Sequence, residues 1–126
     1  MSLLEEQFEL LKREFPDATL QPLPSGAALI AIPNYRLLAS GWSRETTTVK
    51  LLAPVGFPFA KPDCFWINQE VRLKNGTMPQ SSNITPIPET NEPHLWFSWH
   101  VGQWNPNRDN LLTYVRVIDK RLRDPR

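Results

Sequence analysis

Ser98 stands two residues before His100 in the segment His94-Leu95-Trp96-Phe97-Ser98-Trp99-His100. In an extended stretch, residues i and i+2 project to the same side, so this spacing presents a hydroxyl and an imidazole together. A serine hydroxyl is a poor nucleophile until a base takes its proton, and histidine is the usual base near neutral pH. The chemistry on offer is acyl transfer through an oxyester on Ser98, with His100 as general base. The competing reading is a serine bonded to backbone and a histidine satisfied inside a packed loop. His94 follows Pro93 and reads as an ordinary surface or loop residue. The chain has one cysteine, Cys64, next to Phe65 and Trp66. It reads as a small buried hydrophobe in a strand. A single cysteine excludes an intrachain disulfide and argues against a structural zinc site, so no metal or cofactor is expected.

The elements that must position these residues follow from periodicity and from the prolines. None of the 13 prolines falls in residues 1–15, 34–53 or 107–124, and those are the stretches where regular structure can run. Leu4, Phe8, Leu11 and Phe15 recur at helical spacing and predict a helix over residues 2–15. Ser2 is its expected N-cap with Glu5 as capping-box partner, and Pro16 ends it. Strands are expected over residues 18–23, 27–32 and 46–52, the first two joined at Pro24-Ser25-Gly26, with 35–39 as an extension of the second. Residues 54–62 carry too much proline for a central strand, and residues 63–68 then read as a fourth strand. Residues 69–106 show no convincing long element. The aromatic run inside them argues for packing, with Phe97 and Trp99 turned inward and Trp96, Ser98 and His100 on the other side. Leu111, Val115, Ile118 and Leu122 predict a second helix over residues 109–123, capped by Asn107 or Asp109.

The resulting order is a helix, a four-stranded antiparallel meander, a long irregular segment and a second helix. That is an α+β fold with helices on one face of the sheet. A length of 126 residues fits one domain spanning 1–126. With 14 basic and 13 acidic residues the net charge is +1, so nothing draws the chain to nucleic acid or to an anionic membrane. The basic residues Lys120, Arg121, Arg123 and Arg126 read as favourable charge at a helix C-terminus. The N-terminus carries early acids and no continuous apolar core, unlike a signal peptide, and no apolar run reaches membrane-span length. The default location is cytoplasmic.

Two proline motifs sharpen this order into a resemblance. Gly56-Phe57-Pro58-Phe59-Ala60-Lys61-Pro62, leading into 63–68, is similar to the segment that precedes the fourth strand of the ubiquitin-conjugating enzymes. Trp104-Asn105-Pro106, followed by Asp109-Asn110-Leu111-Leu112, is similar to the Trp-x-Pro that leads into that family's second helix. The chain resembles most closely the divergent bacterial members, encoded in operons with ubiquitin-like and activating-enzyme-like proteins. The resemblance implies those two proteins as partners. It also implies a thioester cysteine roughly eight residues before the Trp-x-Pro tryptophan, where this chain has Trp96. The family's His-Pro-Asn has only an echo in Met78-Pro79-Gln80-Ser81-Ser82-Asn83, which supplies Asn83 as the implied oxyanion donor. The expected function is an E2-like carrier using Ser98, His100 and Asn83. Its alternatives are a catalytically inactive variant that binds a ubiquitin-like protein or pathway enzyme, and an unrelated α+β domain with a peptide groove.

Overall fold

A computed structural model describes residues 2–126. The first helix, α1, runs Leu3–Glu14 with Ser2 as N-cap and the expected capping box to Glu5. Leu11 is its fully buried residue, and Leu4, Phe8 and Phe15 pack partly buried against the same core. Four antiparallel strands follow in meander order: β1 Thr19–Pro22, β2 Ala28–Arg36, β3 Thr46–Ala53 and β4 Phe65–Ile67. β2 runs straight through Pro33, which sits in a register shift between Ile32 and Tyr35. A bulge leaves one residue outside the ladder, so a proline without an N–H is tolerated there. Asn34 takes φ 57° at the same bend, a conformation that asparagine adopts more readily than most residues.

The sheet has six strands rather than four, in the order β1-β2-β3-β4-β6-β5. The two additions, β5 Ser82–Pro86 and β6 Pro93–Phe97, form an antiparallel hairpin inside the segment expected to be irregular. Their pattern hid them. β5 is an exposed edge strand with a single large apolar residue, Ile84. β6 is covered on both sides, so its apolar residues run on without alternating. Pro86 and Pro93 face each other at the loop end of the hairpin, the last pair of the ladder, where a missing N–H is tolerated.

β3 shows strict alternation, with Thr47, Val49, Leu51 and Ala53 buried. One face of the sheet packs with α1 and α2 Leu111–Leu122 around Ile30, Ile32, Val49, Leu51, Phe65, Leu95 and Phe97. The opposite face carries a smaller cluster of Leu23, Leu29, Trp66 and Ile87, against which Trp96 packs. Phe97 and Trp99 do face the main core and Trp96 the other side, with Phe97 fully buried and both tryptophans half-buried. All four stripe residues of α2 are buried as expected. Its N-cap is Asn110, whose side chain accepts from Thr113 N–H at 3.0 Å, rather than Asn107 or Asp109. Asp109 is spent one turn earlier, accepting from Asn105 N–H at 2.7 Å. Asn110→Ala therefore lowers stability by about 1 kcal/mol in a denaturant titration, while Asn107→Ala stays within about 0.5 kcal/mol.

Arg121 lies in the last turn of α2, as expected of favourable charge at a helix C-terminus, and it is also buried. It is 2% exposed, with its guanidinium 5.0 Å from the Phe97 ring, 5.5 Å from Trp99 and 6.0 Å from Trp42. Its terminal nitrogens donate to the carbonyls of Asp124, Gln80 and Arg126 at 2.7, 3.0 and 3.1 Å. The Trp42 indole donates to Leu122 O at 2.7 Å. The end of α2 is thereby tied to the segment entering β5, to the β2–β3 connection and, through the Trp99 ring, to the residues after β6. No helix among the described residues is long and apolar enough to cross a membrane.

Candidate functional site

The β4–β6 ladder ends at the Phe65–Phe97 pair, and one step beyond it stand Cys64 and Ser98. Ser98 is half-buried, and its N–H donates to Ser81 O at 2.8 Å. His100 lies further out and is exposed. Asn83 is exposed on β5, opposite Trp96, and its Oδ1 accepts from Ile84 N–H at 2.9 Å. The three sequence-derived residues thus surround one end of the hairpin. Among the described residues no hydrogen bond joins Ser98, His100 and Asn83 to one another. His94 is buried at 6%, paired with Thr85 within the hairpin and bonded through Nδ1 to Glu92 O, so it is no surface residue.

His100 has a partner the sequence reading did not name. Its Nδ1 is hydrogen-bonded to Asp63 Oδ1. Cys64 follows directly, and it is neither in the strand nor fully buried: β4 begins at Phe65, and Cys64 is half-buried with φ 62°. The expectation of a buried strand cysteine fails because Pro62 keeps the preceding backbone off the ladder and Cys64 then turns into the left-handed region. The Cys64 Sγ, a His100 ring nitrogen and an Asp63 carboxylate oxygen all lie within 4.8 Å of one another. Both neighbours of the cluster are fastened to the scaffold. Cys64 N–H donates to Trp99 O at 3.0 Å. The Tyr114 hydroxyl from α2 donates to Cys64 O at 2.7 Å and approaches Trp99 O at 3.5 Å. Lys61 Nζ reaches Val101 O at 3.5 Å.

Burial pushes the Cys64 thiol above its ordinary value, and the Asp63 charge adds to this. A backbone hydrogen bond from Trp99 and the Trp96 indole act in the opposite direction. The thiol is therefore protonated at rest near neutral pH, and a nucleophilic role needs a base beside it. With Asp63 accepting from Nδ1–H, the other ring nitrogen of His100 keeps its lone pair for that task. The same three side chains offer one nitrogen, one sulfur and one oxygen donor, a set that also suits zinc with one position left open. An apolar cleft of about 470 Å³ lies elsewhere, between α1, β2 and α2, lined by Phe15, Tyr35, Leu38, Leu112 and Val115. It contains none of these groups. The adjacency of proline, acid and the only thiol at a strand entrance, Pro62-Asp63-Cys64, was the available signal for this corner.

The two proline motifs meet in space. The Trp104 indole donates to Pro58 O at 2.7 Å, and its ring packs 6.1 Å from that of Phe57. The family model described as Prokaryotic E2 family E matches residues 6–124. The chain belongs to that family. No curated protein and no solved structure gives a significant match. In this E2-like chain the position roughly eight residues before Trp104 is filled by Trp96, which pairs with Trp66 in β4. The family E chain thus has a bulky indole there.

Proposed function

We propose that this E2-like chain is the carrier of a bacterial ubiquitin-like conjugation pathway. It accepts the C-terminal acyl group of a ubiquitin-like protein from an activating-enzyme-like partner and passes it on. The observation that carries this reading is the Asp63–His100 pair, an anchored imidazole at the end of β6 in a chain with E2-like membership. An oriented base beside hydroxyl and thiol groups is what acyl transfer requires. On the oxyester form of the reading, Ser98 accepts the acyl group, His100 takes its proton and the Asn83 amide donates to the oxyanion. A second reading is a catalytically inactive binding module, favoured by Trp96 in the thioester position and by the lack, among the described residues, of any hydrogen bond from the Ser98 side chain to a base.

Mixing the chain with the ubiquitin-like and activating-enzyme-like proteins of its own operon and ATP tests the choice. The carrier forms a covalent adduct, seen as a mass increase under denaturing conditions. An adduct that resists thiols and yields to alkali marks an oxyester. Stable binding without an adduct leaves the binding module as the better account.

A further inference from the structure

The corner at the entrance of β4 brings together three groups that nucleophilic catalysis uses as a unit. We propose that Cys64 is the acyl acceptor of this chain, with His100 as the base that takes the thiol proton and Asp63 as the residue that positions the imidazole. The proposal rests on the carrier reading and names the site within it. It moves the acceptor from the β6 side, where sequence spacing alone points, across to the first residue outside β4.

Three observations support the assignment. The Cys64 sulfur, one ring nitrogen of His100 and one Asp63 carboxylate oxygen lie within 4.8 Å of one another. Asp63 already holds His100 through Nδ1, the arrangement that fixes tautomer and orientation in nucleophile–base–acid triads. Cys64 is held at φ 62° by bonds on both sides of its own backbone, its N–H to Trp99 O at 3.0 Å and its carbonyl from Tyr114 Oη at 2.7 Å. The sulfur therefore has a defined position off the ladder, with part of its surface open. Neither Cys64 nor Ser98 makes a side-chain hydrogen bond to His100 among the described residues, so the choice between them rests on the three points above. A thiol is also intrinsically the better nucleophile of the two.

The step balances without a further reactant. The Sγ–H proton passes to His100, and Sγ attacks the carbonyl carbon of an incoming thioester. The Cys64 S–C bond forms and the donor C–S bond breaks. The leaving thiolate then takes the proton from the imidazolium, which the Asp63 carboxylate stabilises in the interval.

The acetylglycyl thioester of mercaptoethanesulfonate, a small unbranched acyl donor, serves as probe. The wild-type chain gains one acyl group, mapped by peptide mass to Cys64 and removed by dithiothreitol, and Cys64→Ala gains none. His100→Ala reacts roughly a hundredfold more slowly at pH 7. Its rate returns at alkaline pH as the thiol ionises unaided, whereas a purely structural loss would depress the rate at every pH. Asp63→Asn slows the reaction at pH 7 and shifts the pH profile. The other ionisable groups facing this corner, the Tyr114 phenol and the Lys61 ammonium, remain unchanged in all three variants. An acyl group mapped to Ser98, an undiminished rate in His100→Ala, or stoichiometric Zn²⁺ uptake that shields Cys64 from the probe would overturn the assignment. The two readings fail separately. A pathway adduct that survives Cys64→Ala sinks this site and leaves the carrier standing. Probe acylation of Cys64 in a chain that never forms a pathway adduct sinks the carrier.

Discussion

Arg121→Ala lowers the unfolding free energy by about 3–5 kcal/mol, measured by urea titration with the slope unchanged. Three backbone carbonyls, those of Gln80, Asp124 and Arg126, lose their donor at once. The vacated volume lies among Trp42, Phe97 and Trp99. The three bonds are part-buried and made to exposed residues, so each stranded carbonyl costs at most about 1 kcal/mol and the cavity among the rings supplies most of the loss. Burial draws the Arg121 pKa downward, as does neighbouring Arg126, while Asp124 opposes them. The guanidinium nonetheless stays charged, because its intrinsic pKa lies far above any working pH. Two further variants separate packing from hydrogen bonding. Arg121→Met refills much of the space and leaves the carbonyls bare, so it falls between wild type and alanine. Arg121→Lys keeps the charge without the planar fork and does not restore stability. A loss below about 1 kcal/mol for Arg121→Ala would mean that the segment after α2 opens and its carbonyls find water.

Tyr114→Ala lowers stability by about 3–5 kcal/mol, since the ring is fully buried at the centre of the main core. Tyr114→Phe is the more informative change. It keeps the ring and removes a hydroxyl that donates to Cys64 O at 2.7 Å and approaches Trp99 O at 3.5 Å. Burial holds the phenol well above its ordinary value, and negative charge at Cys64 or Asp63 pushes the same way, so it remains a donor at any working pH. Its loss strands the Cys64 carbonyl at a cost of about 1–3 kcal/mol. The consequence is local. Cys64 N–H, bonded to Trp99 O, exchanges with solvent faster in Tyr114→Phe, while the β2–β3 amides keep their protection relative to global stability. Equal acceleration across the sheet would show that the hydroxyl contributes only to overall stability and does not specifically hold the corner.

Much of this architecture was legible before any coordinates. The stripes Leu4–Phe8–Leu11–Phe15 and Leu111–Val115–Ile118–Leu122 announce their helices, because a helix packed on a sheet must repeat its apolar face every 3–4 residues. Ser2 with Glu5 marks a helix start because both groups bond within one turn, and one turn is a sequence-local event. The β5–β6 hairpin was not legible for the opposite reason. An exposed edge strand leaves β5 without an apolar face to repeat, and β6 is covered on both sides, so neither writes a period of two into its residues.

The same division runs through the site. That an imidazole follows a hydroxyl two residues on is readable from Ser98-Trp99-His100 alone, yet β6 ends at Phe97 and no hydrogen bond joins the two side chains among the described residues. That His100 meets Asp63 and Cys64 is not readable, because these lie 37 and 36 positions away and arrive only through the pairing of β4 with β6. Arg121 repeats the lesson. At the end of an amphipathic helix, sequence marks it as charge favourable to the helix C-terminus. Only tertiary packing, which sets three aromatic rings and three carbonyls around one side chain, puts that charge inside. Sequence determines contacts within a turn or along a strand because the backbone geometry that makes them is universal. Contacts between strands distant in the chain depend on register, and register is settled by the whole core packing at once.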